Sequence, residues 1–167
     1  MTGATADAAP PAVGVVASAA VAGDIGTERT GPRISPRNPC DDVVEHDTRD
    51  PCAALLAGVA PLNLACLHVV HGGDEEVLRQ LRRERPTALF LNRAGAGIDA
   101  RVADLDAGLA DVVTVGTTAP ADPGLPARRR SGTRLNGPDP ATSYRGDHLG
   151  RTDCSTPPWR PPAVPTP

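Results

Sequence analysis

The chain has 167 residues and a formal net charge of −3, with 40% hydrophobic but only 2% aromatic positions, 19 Pro and 17 Gly. One Phe, one Trp, one Tyr and one Met leave the core to Val, Leu, Ile and Ala, so aliphatic burial alone must offset the conformational entropy of folding and the core is expected to be thin. The length suits one domain but falls short of the ~250 residues of a complete (β/α)₈ barrel.

Every positive side chain is Arg, with no Lys. The near-neutral balance lacks the basic footprint of a nucleic-acid binder, and the aromatic platforms for single strands are missing as well. The densest basic runs, Arg79, Arg82, Arg83, Arg85 and Arg128, Arg129, Arg130, read as solvated helix faces. No stretch approaches the ~20 apolar residues of a membrane span. The longest candidate, Ala12 to Ala22, is interrupted by Gly14 and Ser18, and no Lys or Arg precedes it as a secretory signal requires. A cytoplasmic protein without nucleic-acid or membrane partners is the expectation.

In chain order, residues 1–12 carry no apolar period and are expected to be disordered. Thr30–Ser35 reads as a strand, Asp50–Ala60 as a helix, Ala65–Val70 as a strand, and Asp74–Arg85 as a helix whose acidic start and basic end suit its macrodipole. Ala88–Asn92 is a strand, Ile98–Leu109 a helix with Ile98, Val102, Leu105 and Leu109 at helical spacing, and Asp111–Gly116 another strand. Residues 156–167 form a proline-rich tail that favours extended polyproline conformation. Short apolar runs alternating with helices signal βα units around a parallel sheet, which is either half a barrel or a small open α/β sheet.

Cys40, Cys52, Cys66 and Cys154 contain no C-x-x-C pair, so a metal reading is weak. His68 and His71 are three apart on a strand, which sends them to opposite faces. Ligands of parallel βα folds sit at the carboxyl ends of the strands. Two loops there, Asn92-Arg93-Ala94-Gly95 and Val115-Gly116-Thr117-Thr118, are either ordinary tight turns or places where backbone N–H groups approach an anion, with Arg93 adding charge. Arg33, at a third strand end, suits a heteroaromatic oxygen or ring nitrogen, or else pairs with Asp41 or Asp42 at the surface.

Several strings, in order, resemble the C-terminal half of the old yellow enzyme family, the FMN-dependent ene reductases. They are Ile25-Gly26-Thr27-Glu28-Arg29-Thr30-Gly31 leading to Arg33-Ile34-Ser35-Pro36, then Leu67-His68-Val69, then Leu109-Ala110-Asp111-Val112-Val113-Thr114-Val115-Gly116. Asp122-Pro123 with Leu125 follows, then Pro140-Ala141-Thr142-Ser143-Tyr144 through Gly150 and Thr152-Asp153. The resemblance runs from about Val13 to Thr156 and implies an α/β fold, a partial (β/α)₈ TIM barrel holding strands five to eight over residues 13–155. It further implies an FMN site, with Arg33 at the pyrimidine side of the flavin and the backbone around Arg93, Ala94, Gly95, Gly116 and Thr117 at its phosphate, and NAD(P)H as reductant. The family's carbonyl-polarising pair and its proton-donating Tyr lie in the first half of the barrel, so no catalytic residue is assigned here. Activity then depends on a complementary N-terminal half-barrel chain, and the alternative is a non-catalytic remnant that self-associates.

Four departures weaken the match. Thr117 stands where the family places a phosphate-binding Arg, Pro32 replaces a strand Ile or Leu and removes a ladder donor, Asp122-Pro123-Gly124-Leu125 replaces Asn-Pro-Asp-Leu, and the four Cys fall where Phe or Tyr is expected. FMN is therefore expected to be held weakly or not at all.

Overall fold

The computed structural model describes residues 10–38, 47–85, 87–116 and 118–143, with 154 and 156. It divides into two compact units, residues 1–114 and 115–167.

The first unit is a four-stranded parallel sheet in the order β1-β2-β3-β4, with β1 Arg33–Ile34, β2 Cys66–His71, β3 Ala88–Arg93 and β4 Val112–Val113. Helices α2 (Arg49–Val59), α3 (Glu75–Glu84) and α4 (Ile98–Asp106) make the crossovers, and α1 (Pro10–Ile25) precedes them. Strand order decides between the two architectures. A doubly wound sheet reverses its order and carries helices on both faces, whereas successive neighbouring parallel strands are the staves of a barrel.

Register separates the two faces of the sheet. Arg33, His68, Phe90 and Val112 form one row of neighbours, and Ile34, Val69, Leu91 and Val113 the next; alternate residues point to opposite sides. The second row faces the helices. There Leu67, Val69, Leu89 and Leu91 pack with Cys52 and Leu56 of α2 and Val77, Leu78 and Leu81 of α3. The core contains no aromatic residue, and the chain's one Phe, Phe90, lies half-buried in the first row. The first-row face is open, with Val112 exposed.

All seven elements of the alternating pattern are present, with shortened edge strands. Expected over Thr30–Ser35, β1 is two residues long. Pro32 is the reason on its N-terminal side, since its carbonyl accepts from the His68 N–H at 2.9 Å but it has no N–H of its own to return. The expected Asp111–Gly116 shrinks to Val112–Val113, tied to β3 by the Asp111 and Thr114 N–H groups donating to the Leu89 and Leu91 carbonyls at 3.0 and 2.8 Å.

Two helices depart from the sequence reading. α1 begins at Pro10, three residues inside the segment expected to lack structure. It is Ala-rich, hence helix-prone, but with Ser18 and Asp24 as its only polar side chains it shows no amphipathic period. It packs on α2 through small residues, with Gly14 against Leu55 and Gly58 against Val15. In α4 the apolar stripe is not the packed one. Leu105 is exposed, whereas Arg101 and Asp104 are buried, because charged and carbonyl groups at the end of β3 require polar partners.

The solvated-face reading of the Arg runs also needs correction. Arg85, at the end of α3, is buried, as is Arg128. In the second unit, α5 (Leu125–Arg130) precedes the short α6 (Pro140–Ser143). Arg128 donates to the Arg134 carbonyl at 2.9 Å and lies 3.6 Å from the fully buried Asp122. Asp122 in turn accepts from the Asn136 N–H at 2.8 Å. No helix among the described residues is long and apolar enough to cross a membrane. Cys40, Asp41, Asp42, Trp159 and most of the tail lie outside the described residues.

Candidate functional site

The carboxyl edge of the sheet collects the candidate residues of the first unit. Arg33 stands on the open face beside His68, with its side chain exposed. His68 Nε2 lies 3.1 Å from Thr114 Oγ1. His68 and His71 occupy opposite faces, and His71 is buried at the end of β2.

Arg93 ends β3 on the helix side. Its Nε and one terminal nitrogen donate to both Asp104 oxygens at 2.8 and 2.6 Å, and the other terminal nitrogen donates to Glu75 at 2.5 Å. Two carboxylates thus occupy the guanidinium, and they push its pKa further above the usual arginine range. What this loop offers an anion is backbone. Ala94 and Gly95 are exposed, Gly95 has a φ of +71°, and a Cβ added at Gly95 or Gly97 would meet no heavy atom within 4 Å. The Ala96 N–H closes the turn on the Arg93 carbonyl at 3.2 Å.

Arg101 shapes that loop. Its Nε donates to the Ala96 carbonyl at 3.1 Å, and a terminal nitrogen reaches Asn92 Oδ1 at 2.7 Å and the Thr114 carbonyl at 2.6 Å. Sequence reasoning missed Arg101 and Asp104. Their i, i+3 spacing on a polar stripe is the signal, which the competing apolar stripe of α4 obscured.

An open polar cleft of about 640 Å³ lies at the same edge, lined by Arg37, Gly72, Gly73, Asp74, Glu75, Glu76 and Arg79. Gly72 permits it by close approach, since a Cβ there would come within 2.2 Å of the Arg37 carbonyl oxygen. Asp74 caps α3 by accepting from the Glu76 and Val77 N–H groups at 3.1 and 3.2 Å. Gly116 belongs to the second unit and is exposed; Thr117 lies outside the described residues.

These contacts set the acid response. Burial first, and the Arg33 charge second, hold the His68 pKa below its usual 6.5. The unfolded chain then takes up that proton before the folded one, so the His68 contribution is complete above about pH 6.5 and is lost as pH falls toward the folded value. Glu75 is lowered chiefly by its hydrogen bond from Arg93, and Asp111 by that from Arg82. Their contributions are lost only below the ordinary carboxylate range, about pH 4. Unfolding monitored against pH is expected to weaken in two stages, the first absent in His68→Gln; an unchanged first stage in that variant contradicts the assignment.

No protein-family profile matches the chain. A protein of Leishmania infantum described as a "probable flavin mononucleotide-dependent alkene reductase" is 33% identical over 132 residues, covering 77% of this chain and 36% of that protein. The structure of a morphinone reductase in complex with tetrahydroNAD superposes with a TM-score of 0.75 at 30% identity, covering 83% of this chain and 39% of the other. The old yellow enzyme from Trypanosoma cruzi superposes with a TM-score of 0.74 at 25% identity, covering 83% and 38%. The chain thus spans little more than a third of the curated relative, and what it matches in these proteins is a parallel α/β layer of a TIM barrel. By sequence and by fold, the chain is similar to one part of these old yellow enzyme family proteins, as a partial barrel.

Proposed function

We propose that the carboxyl edge of the sheet is one side of an FMN seat, in a protein whose chemistry is NAD(P)H-dependent alkene reduction. The observation that carries this reading is that four consecutive parallel staves leave Arg33 on the open face and an uncrowded Gly95–Gly97 backbone at the strand ends. Arg33 offers a planar fork of N–H donors to the pyrimidine carbonyls of the flavin. The backbone at Arg93, Ala94 and Gly95 offers its N–H groups to the phosphate. Gly116 and Thr117 stay in the assignment on the sequence resemblance alone. Arg101 and Asp104 are positioning residues, the first holding the loop carbonyl and the second holding the Arg93 side chain away from it.

FMN held there would supply the hydride chemistry that links a nicotinamide reductant to an alkene conjugated to a carbonyl. This chain's residues bind and orient; none is assigned to substrate polarisation or proton donation. The backbone fits a phosphate, but the nearest guanidinium, that of Arg93, is already neutralised.

That occupied guanidinium and the open, half-buried face of the sheet favour a second reading for the chain by itself: a non-catalytic half-barrel that holds FMN weakly. A complementary half-barrel chain or a second copy would cover the open face, since an uncovered parallel sheet leaves strand edges unpaired. Steady NADPH oxidation dependent on a cyclic enone is expected to be absent from the purified chain supplied with FMN. Turnover under those conditions contradicts the weak, non-catalytic reading and leaves the alkene-reductase reading standing.

A further inference from the structure

The amino edge of the same sheet, opposite the proposed flavin seat, holds a second polar site. Arg85 follows α3, Thr87 precedes β3, Ala88 begins it, and Asp111 precedes β4. With Arg82 these residues line a cavity of about 470 Å³. Arg85 is 5% exposed. One terminal nitrogen donates to the Leu64 carbonyl at 3.1 Å, while its Nε is buried with no hydrogen-bond partner, as is the Thr87 hydroxyl. Among the described residues no carboxylate pairs with Arg85.

Burying a guanidinium without a counter-charge is costly. A buried donor left unpaired calls for an explanation, and a bound ion or ligand is one. Asp111 is engaged elsewhere, accepting from Arg82 at 2.6 and 3.0 Å and from the Leu89 N–H at 2.8 Å, and it makes no ion pair with Arg85. Two guanidinium groups against one carboxylate leave the lining with one excess positive charge. A planar fork with an open N–H, beside a hydroxyl, matches an oxyanion with several acceptor oxygens.

We propose that Arg85 and Thr87 form a binding site for a phosphate-sized oxyanion, free or carried as the monoester of a small molecule. The site is independent of the flavin reading, since it lies at the other end of the strands and uses none of the same residues. Arg82 contributes charge at the rim and stays paired with Asp111.

The test is a thermal-unfolding and calorimetric titration of the full chain, free of FMN, with inorganic phosphate and with glycerol phosphate, against chloride at equal ionic strength. Saturable binding and a rise in midpoint with either phosphate, absent with chloride, is expected. Binding of both probes shows that the phosphate group suffices; preference for the ester assigns the site to a phosphorylated metabolite. Arg85→Met is expected to weaken binding at least tenfold and Thr87→Val several-fold. Arg85→Met should also melt no lower than the wild-type chain in phosphate-free buffer, because it removes an unpaired buried charge. Two results overturn the proposal: a wild-type chain that responds to neither phosphate beyond the chloride control, or an Arg85→Met chain that binds phosphate as tightly as wild type.

Discussion

Leu89→Ala is expected to lower stability by about 2–5 kcal/mol, the range for truncating a fully buried leucine. Leu89 has no exposed surface, is the second residue of β3 and packs in a cluster drawn chiefly from two strands and two helices. Its own backbone N–H and carbonyl are both tied to Asp111, so the residue anchors β4 as well as the core. With no aromatic side chain in the cluster, each large aliphatic carries a greater share of the ~1.5–3 kcal/mol per side chain that holds the sheet to its helices. Total stabilities of single domains are only about 5–15 kcal/mol, and an aliphatic core of this size belongs at the lower end. Urea unfolding followed by circular dichroism should show Leu89→Ala losing most of its cooperative transition, while exposed Val112→Ala shifts it by less than about 0.5 kcal/mol. Equal effects at the two positions would contradict the assignment of the faces.

Asp104→Asn is the second large effect, at about 3 kcal/mol, the lower end for removing one partner of a buried ion pair. Asp104 is 7% exposed and Arg93 19% at the side chain. Burial first, and the Arg93 charge in addition, disfavour the Arg101 charge, and Asp104 is the carboxylate that favours it. Removing its charge leaves the buried Arg101 and the partly buried Arg93 with only the half-exposed Glu75 to balance them. Glu75→Gln, by contrast, breaks a more solvated contact and should cost under about 1 kcal/mol. Comparable losses from the two substitutions would show that Asp104 is not the buried counter-ion described here.

What was legible in the sequence follows from which forces act locally. The alternation of short apolar runs with helices is written residue by residue, and strands β2 and β3 and helices α2 and α3 fall within a residue or two of expectation. The edge strands were read too long because β-propensity does not register a missing donor or partner, and β1 is cut short where Pro32 has no N–H to give. α1 is not legible because a helix with only Ser18 and Asp24 among its small and apolar residues carries no period, although its Ala content favours the conformation. The charged residues were the hardest to place. Arg93 was expected to serve an anion, yet Asp104 and Glu75, eleven residues after it and eighteen before, claim its guanidinium. Arg85 lay in a run taken for solvent-facing and is among the most buried polar residues of the unit. Burial of a charge depends on what the fold brings to it from distant segments, and spacing alone does not carry that information.

The proposed flavin seat lies where neighbouring parallel staves end, at their carboxyl edge. Amide chemical-shift mapping of FMN binding tests it most directly, performed on Arg85→Met so that the amino-edge anion site cannot compete. Saturable shifts at Arg33, Gly95 and Gly97, with the amides of Thr87 and Asp111 unmoved, are the predicted result, and Arg33→Met should weaken binding about tenfold, or 1.4 kcal/mol. No saturable shift at any concentration of FMN, or shifts gathered at the amino ends of the strands, would contradict it.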